Sequence, residues 1–206
     1  MTKTTTILLA LALLIGAPAF AQEMSFFLTS HGPGDGAKLG GLKGADAHCT
    51  MLAKAAGSTG KTWRAYLSAK GVNAKDRIGK GPWVNANGVT VAKNVDDLHN
   101  PNVTGTSQAN SVTERGHMHN GRAQSPNRHD ILTGSKLDGT AFTDGEDHTC
   151  GDWTKNGEGS AQVGHHDRTG GGQAPTSWNS AHGSRGCSQE NLQATGGNGN
   201  FYCFAE

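Results

Sequence analysis

The chain has 206 residues, 31 of them glycine, and carries 18 lysines and arginines against 17 aspartates and glutamates. Glycine at about twice its usual share leaves few aliphatic residues for a core, and glycine-rich loops lose much backbone entropy on folding. A balanced charge without a basic stripe argues against nucleic acid as partner, and no segment beyond the N-terminus approaches a membrane-spanning length.

The first residues, MTKTTTILLALALLIGAPAFAQ, combine a basic Lys3, an apolar run from Ile7 to Ile15 and the small-x-small site Ala19-Phe20-Ala21. This is the pattern of a cleaved signal peptide over residues 1–21, which leaves one domain, 22–206, secreted or in the periplasm. Met24 to Ser30 reads as a short strand. In Gly44 to Gly57 the residues Ala45, Cys49, Leu52, Ala53 and Ala56 share one helical face, with Gly57 as the left-handed cap. Lys61 to Ser68 alternates, with Trp63, Ala65 and Leu67 against Arg64 and Tyr66, which predicts a half-buried strand. Asn87-Gly88 between two apolar runs predicts a hairpin, and Asn94 offers a cap for one short helix. Asn100 to Arg128 is polar and reads as a long irregular excursion. The stretches HDILTGS, HTCGDWT, GSAQVGHH and GGNGNFYCFA read as further strands. The sum is an α+β domain with two helices, a mixed and mostly antiparallel sheet, and long loops.

Four cysteines follow the leader, Cys49, Cys150, Cys187 and Cys203. In an exported chain an even number implies a disulfide framework, here with three possible connectivities. No two have the C-x-x-C spacing of a zinc site.

GADAHCTMLAKAAGSTGKTWRAYLS resembles the first helix and following strand of endostatin, a domain of the C-type-lectin-like fold. The likeness continues through ILTGSKLDGTAFTDGEDHTCGDW, SWNSAHGSRGC and the terminal FYCF, and bacterial secreted lectin-like proteins are similar along the whole mature chain. The resemblance implies nested disulfides, Cys49–Cys203 and Cys150–Cys187, and first and last strands side by side. C-type lectins bind calcium and sugar through an acidic-Pro-Asn and a Trp-Asn-Asp tripeptide. Here those places read Ser125-Pro126-Asn127 and Trp178-Asn179-Ser180, so two charged oxygen ligands are missing. The histidines that hold zinc at the start of endostatin have no counterpart.

The chemistry-bearing residues cluster late in the chain. Of ten histidines, eight lie between His99 and His182. VGHHDRTGGG, before Cys187, supplies His165, His166, Asp167 and Arg168, and Trp178, Asn179 and His182 follow. These seven residues are the expected wall of a ligand site for glycan or protein. Imidazole suits zinc or another transition metal, whereas carboxylate and amide suit calcium. His165, Asp167 and His182, completed by His117 or His119, form the candidate metal set. Trp83, Trp153, Trp178 and Tyr66 offer stacking faces, although Trp153 and Trp178, beside cysteines, are expected to cover a disulfide. No G-x-S-x-G elbow, H-E-x-x-H helix or phosphate loop is present. The leading expectation is therefore recognition without catalysis, and the alternative is a metal-binding protein or metal-dependent enzyme.

Overall fold

A computed structural model describes residues 23–206. The signal peptide read over 1–21 lies outside them. Among the described residues no helix is long and apolar enough to cross a membrane.

The helix α1 (Gly41–Ala55) starts three residues before the predicted one and ends as predicted. Ala45, Cys49, Leu52 and Ala53 are its buried residues. Gly57, at φ 91°, donates to Lys54, and Ser58 donates to Ala53 at 2.9 Å. These two bonds are a Schellman termination, satisfying carbonyls that the helix leaves open. The strands β1 (Phe26–Leu28), β2 (Trp63–Ala65), β5 (Asp130–Leu132), β6 (Gln162–His165), β7 (His182–Gly183) and β8 (Gly197–Ala205) form one sheet. Its order is β1-β8-β5-β6-β7, with β2 also on β8. All pairings are antiparallel except β5 with β8. First and last strands thus lie side by side, with Phe27 opposite Cys203. The hairpin β3 (Trp83–Val84) and β4 (Thr90–Ala92) forms a separate ribbon, with Gly88 at φ 79° in its turn. The short helix α2 (Val95–His99) is capped as expected, the Asn94 side chain accepting the Asp97 amide.

Alternation along the strands builds two cores, one on each side of the sheet. Phe27, Trp63, Ala65, Phe201 and Cys203 face α1 and Trp153. Phe26, Leu28, Tyr66, Tyr202 and Phe204 face Trp83, Leu98 and Trp178. Within β2 the expected alternation holds, Trp63 and Ala65 being buried and Arg64 partly exposed, but it ends at Tyr66. Tyr66 is fully enclosed, because the hairpin and α2 cover the face that would otherwise meet water. Both disulfides, Cys49–Cys203 and Cys150–Cys187, form, the second nested within the first.

Three local expectations are corrected. HTCGDWT is not a strand: it contains α3 (Cys150–Trp153), a single turn whose φ angles are 50°, 63°, 54° and 66°. A left-handed conformation costs a non-glycine residue about 1–2 kcal/mol, and several bonds hold it here. Asp147 accepts the Thr149 and Gly151 amides, and Trp153 Nε1 donates to the Ser68 carbonyl at 2.8 Å. A further helix, α4 (Gln189–Thr195), was not expected, since Leu192 is its one buried residue. Its ends are well specified: Ser188 accepts the Asn191 amide, and Gly196 follows at φ 132°. Trp178 does not cover a disulfide but lies in the opposite core, donating to the Leu98 carbonyl.

Where β6 passes the 178–179 backbone there is no room for a side chain. A Cβ on Gly164 would run into the Trp178 carbonyl and the Asn179 amide, both backbone. Gly164→Ala is expected to cost about 3 kcal/mol or more, the upper range for overpacking, read as the loss of urea midpoint at unchanged slope.

Candidate metal centre

The sheet register assembles the site. Asp130, first residue of β5, pairs directly with His165, last residue of β6. Val163 pairs with His182 of β7, which makes His182 the diagonal neighbour of His165. His129 precedes Asp130 and stacks on His165, ring centroids 4.2 Å apart. Three imidazoles and one carboxylate thus meet at the end of three adjacent strands.

The side chains of His129, Asp130 and His165 are at most 5% exposed, while that of His182 is 25% exposed. One Asp130 oxygen, Oδ1, lies 3.1 Å from His129 Nε2, 3.3 Å from His165 Nε2 and 3.6 Å from His182 Nε2. A tetrahedral zinc with bonds of 2.0–2.1 Å separates its ligand atoms by about 3.3–3.4 Å. The three distances bracket that value. The His165 and His182 Nε2 atoms are 2.9 Å apart, slightly tight for the same geometry.

Proton positions follow from the outer partners. His165 Nδ1 lies 2.8 Å from the Pro175 carbonyl, and His182 Nδ1 lies 3.1 Å from the Gly183 carbonyl. Carbonyls only accept, so both Nδ1 atoms carry hydrogen. His129 Nδ1 faces Asp167 Oδ1 at 3.2 Å. In the neutral rings the Nε2 lone pairs therefore point at one another and at Asp130. Both Asp130 oxygens are buried, and none of the imidazole nitrogens around Oδ1 stands in well-aligned hydrogen-bond geometry to it. Such a group needs a cation at its centre, whether protons or a metal. Histidine held through its outer nitrogen by carboxylate or carbonyl is the usual support of a metal ligand.

Protonation of the metal-free cluster follows the same contacts. Burial disfavours charge on His165, but Asp130 and the Pro175 carbonyl outweigh it and hold the imidazole above the usual histidine range. Burial likewise pushes Asp167 up, yet His129 and the Arg122 and Thr169 amides leave it well below the usual carboxylate range. Around the cluster the chain approaches closely at glycines. A Cβ on Gly170, at φ 141°, would come within 2.6 Å of His165 Cε1, and one on Gly172, at φ 99°, within 2.9 Å of His182 Cδ2.

Of the metal set expected from sequence, His165 and His182 are in the cluster. Asp167 stands one layer out, behind His129. His117 is exposed, and His119 donates through Nε2 to the Thr29 carbonyl at 2.9 Å. His129 and Asp130 were not expected. Their signal was present: HD precedes one apolar run and HHD follows another, so antiparallel pairing brings the two together. The expected ligand wall needs larger correction. His166, Trp178 and Asn179 are buried, at 0%, 3% and 1% exposure, because they hold loops to the sheet and fill the core. Asn179 Nδ2 donates to Tyr66 Oη and to the Lys136 carbonyl, and its Oδ1 accepts the Ser177 hydroxyl, so both ends of the amide are committed inside the protein. Trp83, Trp153 and Tyr66 are also core, not stacking faces. A cleft of about 460 Å3 lies elsewhere, between Lys70, Phe142, His148 and Asp152.

The buried histidines outside the cluster give the fold an acid limit. Burial, only partly offset by the Asn120 carbonyl, pushes His166 down to about 4. His119, His99 and His48 are lowered for the same reason. The unfolded chain takes up these protons first, near pH 6.5. Their contribution is complete above that pH and is lost as pH falls towards 4. For His166 alone this is on the order of 3 kcal/mol. His165 opposes it in the metal-free chain. Thermal midpoints of the chelated protein between pH 7 and pH 4 are expected to fall steeply.

No protein-family model matches the chain, and none of the curated proteins compared with it is similar.

Proposed function

We propose that this is an exported, non-catalytic metalloprotein of C-type-lectin-like, endostatin-type build. One divalent transition-metal ion of zinc type is bound by His129, Asp130, His165 and His182. One observation carries the reading: a buried Asp130 oxygen has three imidazole Nε2 atoms within 3.1–3.6 Å, and His129, Asp130 and His165 present their ligand atoms within 4.8 Å of one another, with His182 beside them. Three imidazoles favour zinc over calcium or magnesium, which prefer all-oxygen shells. Four protein ligands close a zinc site, whereas catalytic zinc keeps one position open. A closed set supports a stabilising ion, with the surrounding loop surface serving recognition of a glycan or protein. The nested disulfides and the adjacent first and last strands support the C-type-lectin-like assignment.

The test is a zinc titration of the mature, oxidised, untagged protein against a chromophoric chelator. The reading requires one ion per chain, bound more tightly than by the chelator. Binding that is absent, or no stronger than to the unfolded chain, overturns it.

A further inference from the structure

The excursion from Asn100 to Arg128 has little apolar anchorage. Val112 is buried, but Val103 and Met118 are 54% and 64% exposed. Its ties to the domain are largely polar, and three of them come from the residues directly after the ligand His165. His166 Nε2 donates to the Asn120 carbonyl at 3.1 Å. Asp167 Oδ2 accepts the Arg122 amide at 2.7 Å. Arg168, at φ 54°, donates through Nη2 to the Pro101 carbonyl at 2.8 Å. Asp167 is the joint among them, because its other oxygen receives His129 Nδ1. One carboxylate thus supports a metal ligand and pins the excursion backbone.

We infer that the ion orders this excursion through Asp167, so that its outer surface takes a fixed shape only in the loaded protein. The inference rests on the proposed metal centre and adds to it a regulated surface. An ion on His129 Nε2 fixes the ring and strengthens its Nδ1–H as a donor to Asp167. Asp167 is then held where the Arg122 amide reaches it. Without the ion, the Nε2 lone pairs crowd against one another and against the Asp130 carboxylate, the His129 ring is free to turn, and its Nδ1 leaves Asp167 without that fixed partner. Close fit at Gly121 makes the joint sensitive to small shifts: a Cβ there would lie 2.7 Å from Asp167 Oδ2.

The test is hydrogen–deuterium exchange of the full mature, oxidised chain, chelated and then with zinc at a hundred times its dissociation constant. Openings that release the ion become rarer by roughly 100-fold under those conditions. Amides in 118–128 and 165–170 should slow by that order. In Asp167→Ala at saturating zinc, ion uptake should persist with affinity reduced about 10–100-fold, while 118–128 exchanges as in the chelated protein. If the wild-type chain takes one zinc and the excursion exchanges unchanged, the inference fails and the metal centre stands. If saturated Asp167→Ala keeps full protection, Asp167 is not the joint and the inference also fails. If no zinc binds, both fail together.

Discussion

Replacing His165 with alanine is expected to remove the protein's response to zinc. The side chain is fully enclosed and is one of the four proposed ligands. Loss of an outer partner of a metal ligand costs 10–100-fold in affinity, so loss of the ligand itself should exceed about 100-fold. Zinc at a hundred times its dissociation constant stabilises the wild-type fold by about 2.7 kcal/mol. For a domain of this size that corresponds to a rise in thermal midpoint of roughly 5–10 °C. The variant should melt at one temperature with zinc or chelator, and Asp130→Ala should behave alike. A zinc-dependent midpoint in both variants would place the ion elsewhere.

The second large effect concerns the outer disulfide. Cys49 and Cys203 are 154 residues apart, and both sulfurs lie in the core between α1 and the sheet. Releasing a loop of that length costs about 5 kcal/mol in the chain-entropy model, against about 4 kcal/mol for the 37-residue separation of Cys150 and Cys187. The double variant Cys49→Ala, Cys203→Ala should therefore lose more stability than Cys150→Ala, Cys187→Ala, in urea unfolding of otherwise identical chains. Equal losses, or a larger loss for the inner pair, would mean that native packing and not loop closure sets the difference. A glycine-rich chain with few aliphatic residues depends on such links more than an average domain does.

What was legible in the sequence was what nearest neighbours along the chain decide. The apolar stripe of α1, the Asn87-Gly88 turn and the Asn94 cap are local signals, and each element formed where they stood. The turn at Cys150–Trp153 was not legible. Its left-handed backbone depends on the Asp147 cap and on a tryptophan anchored to Ser68, far away in sequence. The helix α4 was missed because its caps are clear but its one buried residue, Leu192, makes no stripe. The metal centre was half legible. His165 and His182 stood out by clustering, but their partners His129 and Asp130 arrive by strand pairing from 36 residues upstream. Trp178 and Asn179 looked like ligand contacts because they cluster with the histidines before Cys187. Their surroundings, a second core on the far side of the sheet, follow only from tertiary packing.

The most direct measurement is the visible absorption spectrum of the cobalt(II)-loaded protein, mature, oxidised and untagged. Cobalt replaces zinc in nitrogen and oxygen sites and reports its geometry through the strength of its visible bands. Four-coordinate binding by His129, Asp130, His165 and His182 predicts strong bands that saturate at one ion per chain and vanish in Asp130→Ala. A weak, pale spectrum typical of six-coordinate cobalt, or no saturable binding, would contradict the closed four-ligand centre.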